Sequence, residues 1–384
     1  MSEKDLELKL LARRLVWEQG GATRLNVPLR TAVDRERAGS RYQEFTDLDV
    51  LGTFPAPNSQ HRIEIFDCKT STSRTTERMF WLRGVSDLFA PDRAWLLRTS
   101  GVTEAARVLA QRLDLGTLTS ADLDILLRVH NSGAKSHAAI DRLFNPAAHH
   151  EFQSKVTTLD KKLKPLAEAL RYDAWATDSY RNLSALPATL ARAKGLSSEN
   201  PVHVALLLDL AWLYLFTLTR AVSYVATTGA NEIAPRFEEY FLGGQQAKRE
   251  KEALAKTFAE IAGSQRALLP EYFRTLVEVF GRYFIAPGRL HGGMRYLEVL
   301  AAGVAVKRRP NLAEAFGDDF DPVAAKLACD VLTFLVGAGD LPPSFRVLFR
   351  ELLMGMPPET RTADPAPDAG ATDEAAADAS ESSD

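Results

Sequence analysis

Three short runs between residues 93 and 119 constrain this chain most. RAWLLRT at 93–99 reads as a strand, TEAARVLAQRL from Thr103 as a helix, and LGTLT at 115–119 as another strand. Strand, helix and strand in that order make a parallel pair and an α/β unit. Glu104 puts an acid in the first turn of the helix, where it complements the positive end of the macrodipole. Two more strands are expected upstream, at 44–52 and 62–69, joined by the turn residues of FPAPNSQ at 54–60. Leu8, Leu11, Ala12 and Leu15 recur at helical spacing within residues 5–19, and Gly20-Gly21 stops that run. The stretch around Pro28 reads as a loop, and a further helix is expected at about 77–89.

After residue 120 the pattern changes. ADLDILLRV, KLKPLAEALRY, the run 202–226, QQAKREKEALAKTFAEIA, EYFRTLVEVFGRYF, LEVLAAGVAV and PVAAKLACDVLTFLVG are all helix-like, with no strand between them. The expected organisation is an α/β domain over 1–120, an α-helical domain over 121–356 and a disordered acidic tail over 357–384. The tail is rich in Ala, Asp and Pro and poor in aliphatics, so burial cannot offset its ordering entropy. From 359 onward eight acids face only Arg361, a net of −7, so the rest of a chain of net charge −3 carries +4. That is too weakly basic to argue for nucleic acid by itself.

Two cysteines, Cys68 and Cys329, give no disulfide framework, and a reducing cytoplasm fits them. MSEKDLELK has no secretory pattern. The apolar run 202–227 contains Asp209 and Arg220 and reads as a buried helix rather than a membrane span. Those two charges fit either a buried pair or an interface. The chain has no phosphate-loop, dinucleotide or nucleophile-elbow signature. It has no H-E-x-x-H either, and His149-His150 read as surface residues.

The chemistry gathers in "QEFTDLDVLG" and "HRIEIFDCKTS". On a strand over 62–69, Ile63, Ile65, Asp67 and Lys69 alternate onto one face. An acid and a lysine beside two isoleucines need compensation if buried, and a bound cation would supply it. Alternatively, Asp67 and Lys69 form an exposed ion pair on an edge strand. Arg74, Arg78 and Arg83, with Trp81 among them, fit either contacts to a nucleic-acid backbone or a solvated helix face.

A helix with Glu7, a strand with Asp49, a strand with Asp67-Cys68-Lys69, then helix, strand and helix resembles the PD-(D/E)xK restriction-endonuclease-like superfamily. The likeness is greatest to its Mrr-type and Holliday-junction-resolvase branch, and it covers about residues 1–120. It implies a nuclease using Mg²⁺ or Mn²⁺, with Asp49 and Asp67 as metal ligands, the Cys68 carbonyl beside them and Lys69 as the catalytic lysine. It also implies Glu7 as a supporting acid. Asp47 competes with Asp49 for the first ligand, and Asp49 is preferred for its Val50-Leu51-Gly52 continuation. Glu18 competes with Glu7, since the two lie eleven residues apart on nearly the same helical face.

Two carboxylates suit Mg²⁺, which keeps several waters, and a lysine on the same face can orient a water or balance charge. The expected partner is nucleic acid, DNA rather than RNA, with a protein partner or homodimer through the helical domain and no membrane. The alternatives are an inactive nuclease-fold module that binds nucleic acid or protein, and a helical scaffold subunit. Without metal, Asp49 and Asp67 are expected to repel, so Asp49→Asn is expected to leave the metal-free protein equally or more stable.

Overall fold

The computed structural model describes residues 3–33, 41–70, 74–130, 137–156, 159–263 and 267–355. The tail beyond 356 lies outside them. Helix α1 (Glu3–Glu18) leads into strands β1 (Ala22–Val33), β2 (Arg41–Pro55) and β3 (His61–Lys69). Helix α2 (Thr75–Phe89), strand β4 (Arg93–Arg98), helix α3 (Glu104–Arg112), strand β5 (Leu115–Thr119) and helix α4 (Ser120–His130) follow. The five strands form one sheet in the order β1-β2-β3-β4-β5. Its first three strands are antiparallel, and β3, β4 and β5 run parallel through the crossovers α2 and α3. Among the described residues every regular element after β5 is helical.

The region around Pro28 is a correction. It was expected to be a loop, and it is strand β1, running through Pro28 opposite Asp47. β1 lies at the edge of the sheet, where a missing N–H is tolerated. The turn into β1 depends on two glycines. Gly20 adopts φ +79°, and a Cβ on Gly21 would come within 2.7 Å of a Val16 methyl.

Alternation along β3 sorts the core. Phe66 and Cys68 face Leu8, Ala12, Leu15 and Val16 of α1 and Leu123 of α4. Ile63 and Ile65 face the other way, into a core shared with Met79 and Leu82 of α2. That second core runs on without a break into the helical half. There the helix Pro201–Thr228 buries Trp212 and Tyr214, and Arg289–Val304 packs beside it. Pro201–Thr228 is long and apolar enough to cross a bilayer, yet 89% of its most apolar window lies inside the protein.

Two polar groups of contacts stitch the sheet to the helices. Glu298 accepts hydrogen bonds from the Thr23 N–H (2.6 Å), Thr23 Oγ1 (2.8 Å), Arg13 Nη2 (3.0 Å) and Trp212 Nε1 (3.0 Å). Beside it Arg24 grips Asp209 with both arms of its guanidinium. Asp209 is therefore an interface residue paired to β1. Nearby, the rings of His61 and His291 lie 5.1 Å apart between β3 and Arg289–Val304. Thr53 Oγ1 lies 3.2 Å from His291 Nε2, and the other ring nitrogens of the pair find no partner. Burial and Arg220 push His61 down to about 4, while burial and His61 push His291 down to about 3. Both rings are neutral at pH 7.

Candidate functional site

The β2–β3 ladder ends at the pair Val50↔Phe66, and the next residues outward on each strand are Asp49 and Asp67. Where the ladder stops, a side chain takes over: Asp49 Oδ2 accepts the Cys68 N–H at 2.7 Å. Lys69 Nζ lies 3.2 Å from the same Asp49 oxygen and 3.4 Å from Asp67 Oδ1. The two carboxylates thus converge on one ammonium, as the alternation of β3 implies. β3 is a central strand paired on both sides, so these residues are not an exposed edge pair. Both acids are buried, while Lys69 and Arg78 reach solvent in part.

Three further cations complete the cluster. Lys9 Nζ, from α1, bonds Asp49 Oδ1 at 2.6 Å and Asn26 Oδ1 at 2.5 Å. Asn26 sits where β1 passes Asp49, at φ 52°, a left-handed conformation that asparagine tolerates better than most residues. Arg78, in the first turns of α2, grips Asp67 with Nε at 2.6 Å and Nη2 at 2.5 Å. Its guanidinium lies 3.3 Å from the centre of the Trp81 ring. Arg98, buried at the end of β4, bonds Thr75 at the start of α2 and feels the charge of Asp67. With all groups ionised, two acids face four cations.

Burial and this excess of positive charge set the protonation pattern between them. Burial pushes the Asp49 carboxyl up, but Lys9 and Lys69 outweigh it and hold it below the ordinary carboxylate value. For Asp67 burial dominates, and its carboxyl lies above its ordinary value despite Arg78 and Lys69. Lys69 is pushed down by burial and up by both carboxylates, which prevail, so it stays protonated. Burial holds the Cys68 thiol well above its usual range, which excludes thiolate chemistry near neutral pH.

The first-helix acid is a correction. Glu7 is exposed, and Glu18 pairs with Arg14 at 3.6 Å. Residues 7 and 9 are about 200° apart around a helix, so turning Lys9 to the site turns Glu7 away. The α1 acid on the site's side is Asp5, one turn before Lys9, which accepts Thr70 Oγ1 at 2.7 Å. Asp47 is exposed, two residues along β2 from the cluster. Arg74 is also exposed, beside Glu77 at 3.8 Å, while Arg83 bonds the Leu113 carbonyl and Asp87. As built, Arg78 is a partner of Asp67 rather than a free contact for nucleic acid.

Sequence reasoning missed Lys9 and Arg98. Lys9 follows no motif, though a lysine inside an apolar helical face is itself a signal that a buried acid waits opposite. Among the described residues no group of three or more His, Cys, Asp or Glu side chains could hold a metal ion. Two hard carboxylates that already share a positive charge do fit a Mg²⁺-like ion, which needs only one or two of them with water and phosphate oxygens. No family model, curated protein or solved structure matches the chain.

Proposed function

We propose that the chain is a metal-dependent nuclease of the PD-(D/E)xK type, acting on DNA rather than RNA in the cytoplasm, in defence or repair. One observation carries this reading: Asp49 and Asp67, on adjacent strands at the end of their ladder, converge on Lys69. The α-β-β-β-α-β order and the mixed sheet support it. Asp49 and Asp67 would hold Mg²⁺ or Mn²⁺, and the Cys68 amide would fix the Asp49 carboxylate. Such an ion, if bound, would supply Lewis acidity to activate a water and would offset charge on the scissile phosphate. Lys69, protonated and partly exposed, would donate to that water or to the phosphate oxygens as charge develops. Arg98 would add fixed positive charge behind the site.

A second reading has its own support. Lys9 and Arg78 already compensate the two carboxylates, as in a nuclease fold kept only for binding. Incubating plasmid DNA and a structured RNA with the protein in Mg²⁺, Mn²⁺ or EDTA separates the two. Metal-dependent nicking of DNA supports the nuclease. No cleavage in any metal, with retained DNA binding, favours the binding module.

A further inference from the structure

Resting on the nuclease reading, we propose that Arg78 is a latch on Asp67 that substrate phosphate releases, so that metal and nucleic acid load the site together. The guanidinium holds both Asp67 oxygens, at 2.6 and 2.5 Å, and Lys69 shares one of them. A divalent ion on Asp67 would stand against that positive charge at contact distance, so Arg78 must leave before the ion binds. Lys9 on Asp49 cannot exchange with substrate in the same way, since it is buried on α1 and tied to Asn26. Arg78 is the mobile choice. It is partly open to solvent, it follows directly on the exposed start of α2, and it rests on the flat face of Trp81 rather than in a closed pocket.

A guanidinium that gives up a bidentate carboxylate needs another anion with two oxygens on one atom. A phosphodiester offers one with the same two-oxygen geometry. Substrate would therefore draw Arg78 outward, expose Asp67 and bring its own phosphate oxygen to complete the metal's shell. Arg78 is a positioning residue in this scheme. By linkage, whatever metal gains from nucleic acid, nucleic acid gains from metal.

The test measures Mn²⁺ binding to the full chain by electron paramagnetic resonance and calorimetry, without nucleic acid. Wild type is expected to bind Mn²⁺ weakly, and Arg78→Ala about tenfold tighter or more, within the usual range of such couplings. Adding Asp67→Asn to Arg78→Ala should remove the gain, which ties it to this carboxylate. Arg78→Lys keeps the charge but not the two-pronged grip, and should fall between the two, which also covers a poorly folded alanine variant. Equal Mn²⁺ affinity in wild type, Arg78→Ala and Arg78→Lys would overturn the latch while leaving the metal site standing. No Mn²⁺ binding by any variant, even with a DNA duplex added and monitored by its own anisotropy, would overturn the nuclease reading and the latch with it.

Discussion

The buried charges at the seam between sheet and helices and those at the end of β3 are built on opposite principles. At the seam between sheet and helices, Glu298 has four donors, and Asp209 is gripped by one arginine. Each acid there is matched by donors that face it from a different element. At the end of β3, two acids face four cations, two of which reach solvent. A matched network fixes one arrangement, whereas a surplus of cations beside solvent leaves charge for an incoming anion. The seam holds the fold, and the end of β3 is available for chemistry.

Mutation should separate the two, and the largest effect belongs to the seam. Glu298→Ala strands Arg13 and the Thr23 amide in the interior, and should cost about 3–5 kcal/mol in urea melts. A loss under about 1 kcal/mol would mean that water satisfies the seam as well as Glu298 does.

The next effect depends on pH. His61 and His291 titrate near 4 and 3 in the fold and near 6.5 when unfolded. The unfolded chain therefore binds more protons below pH 6.5, and stability falls as pH falls from 6.5 toward 4. By pH 4.5 the loss should reach about 2.5 kcal/mol from each ring. Arg220 is part of that loss, because it repels any charge on His61. Melts of wild type and of His61→Gln/His291→Gln at pH 7.5 and 4.5 isolate this part. An equal acid loss in both proteins would show that the pair does not carry it.

Asp49→Asn comes third, and here the structure reverses the expectation from sequence. The carboxylates do not repel unchecked, because Lys9 and Lys69 already neutralise Asp49. Removing its charge leaves Lys9 buried against an amide, at a cost of about 2–3 kcal/mol in EDTA. A metal-free variant as stable as wild type would restore the picture of repelling acids.

These reversals trace to what a linear pattern can carry. The alternation of Ile63, Ile65, Asp67 and Lys69 was legible, as were β4, α3, β5 and the helical remainder, because each rests on short-range periodicity. β1 was not, since Pro28 argues against a strand until the sheet order shows that β1 is an edge. The convergence of Asp49, Asp67 and Lys69 was legible because they share two neighbouring strands. Lys9 and Arg98 escaped because long-range packing brings them in, Lys9 on α1 and Arg98 at the end of β4. The resemblance puts the supporting acid at Glu7, whereas the phase of α1 turns Lys9 and Asp5 toward the site.

The smallest expected change in stability accompanies the largest expected change in activity, at Lys69. Its ammonium is about one third exposed, so Lys69→Ala should cost less than about 1 kcal/mol and melt within about 2–3 °C of wild type. The decisive measurement runs that melt alongside single-turnover cleavage of plasmid DNA in Mg²⁺. The account predicts cleavage by wild type, none by Lys69→Ala, and nearly coincident melting curves. Equal cleavage by both proteins, or a Lys69→Ala protein that fails only because it has unfolded, would contradict the assignment of this cluster to catalysis.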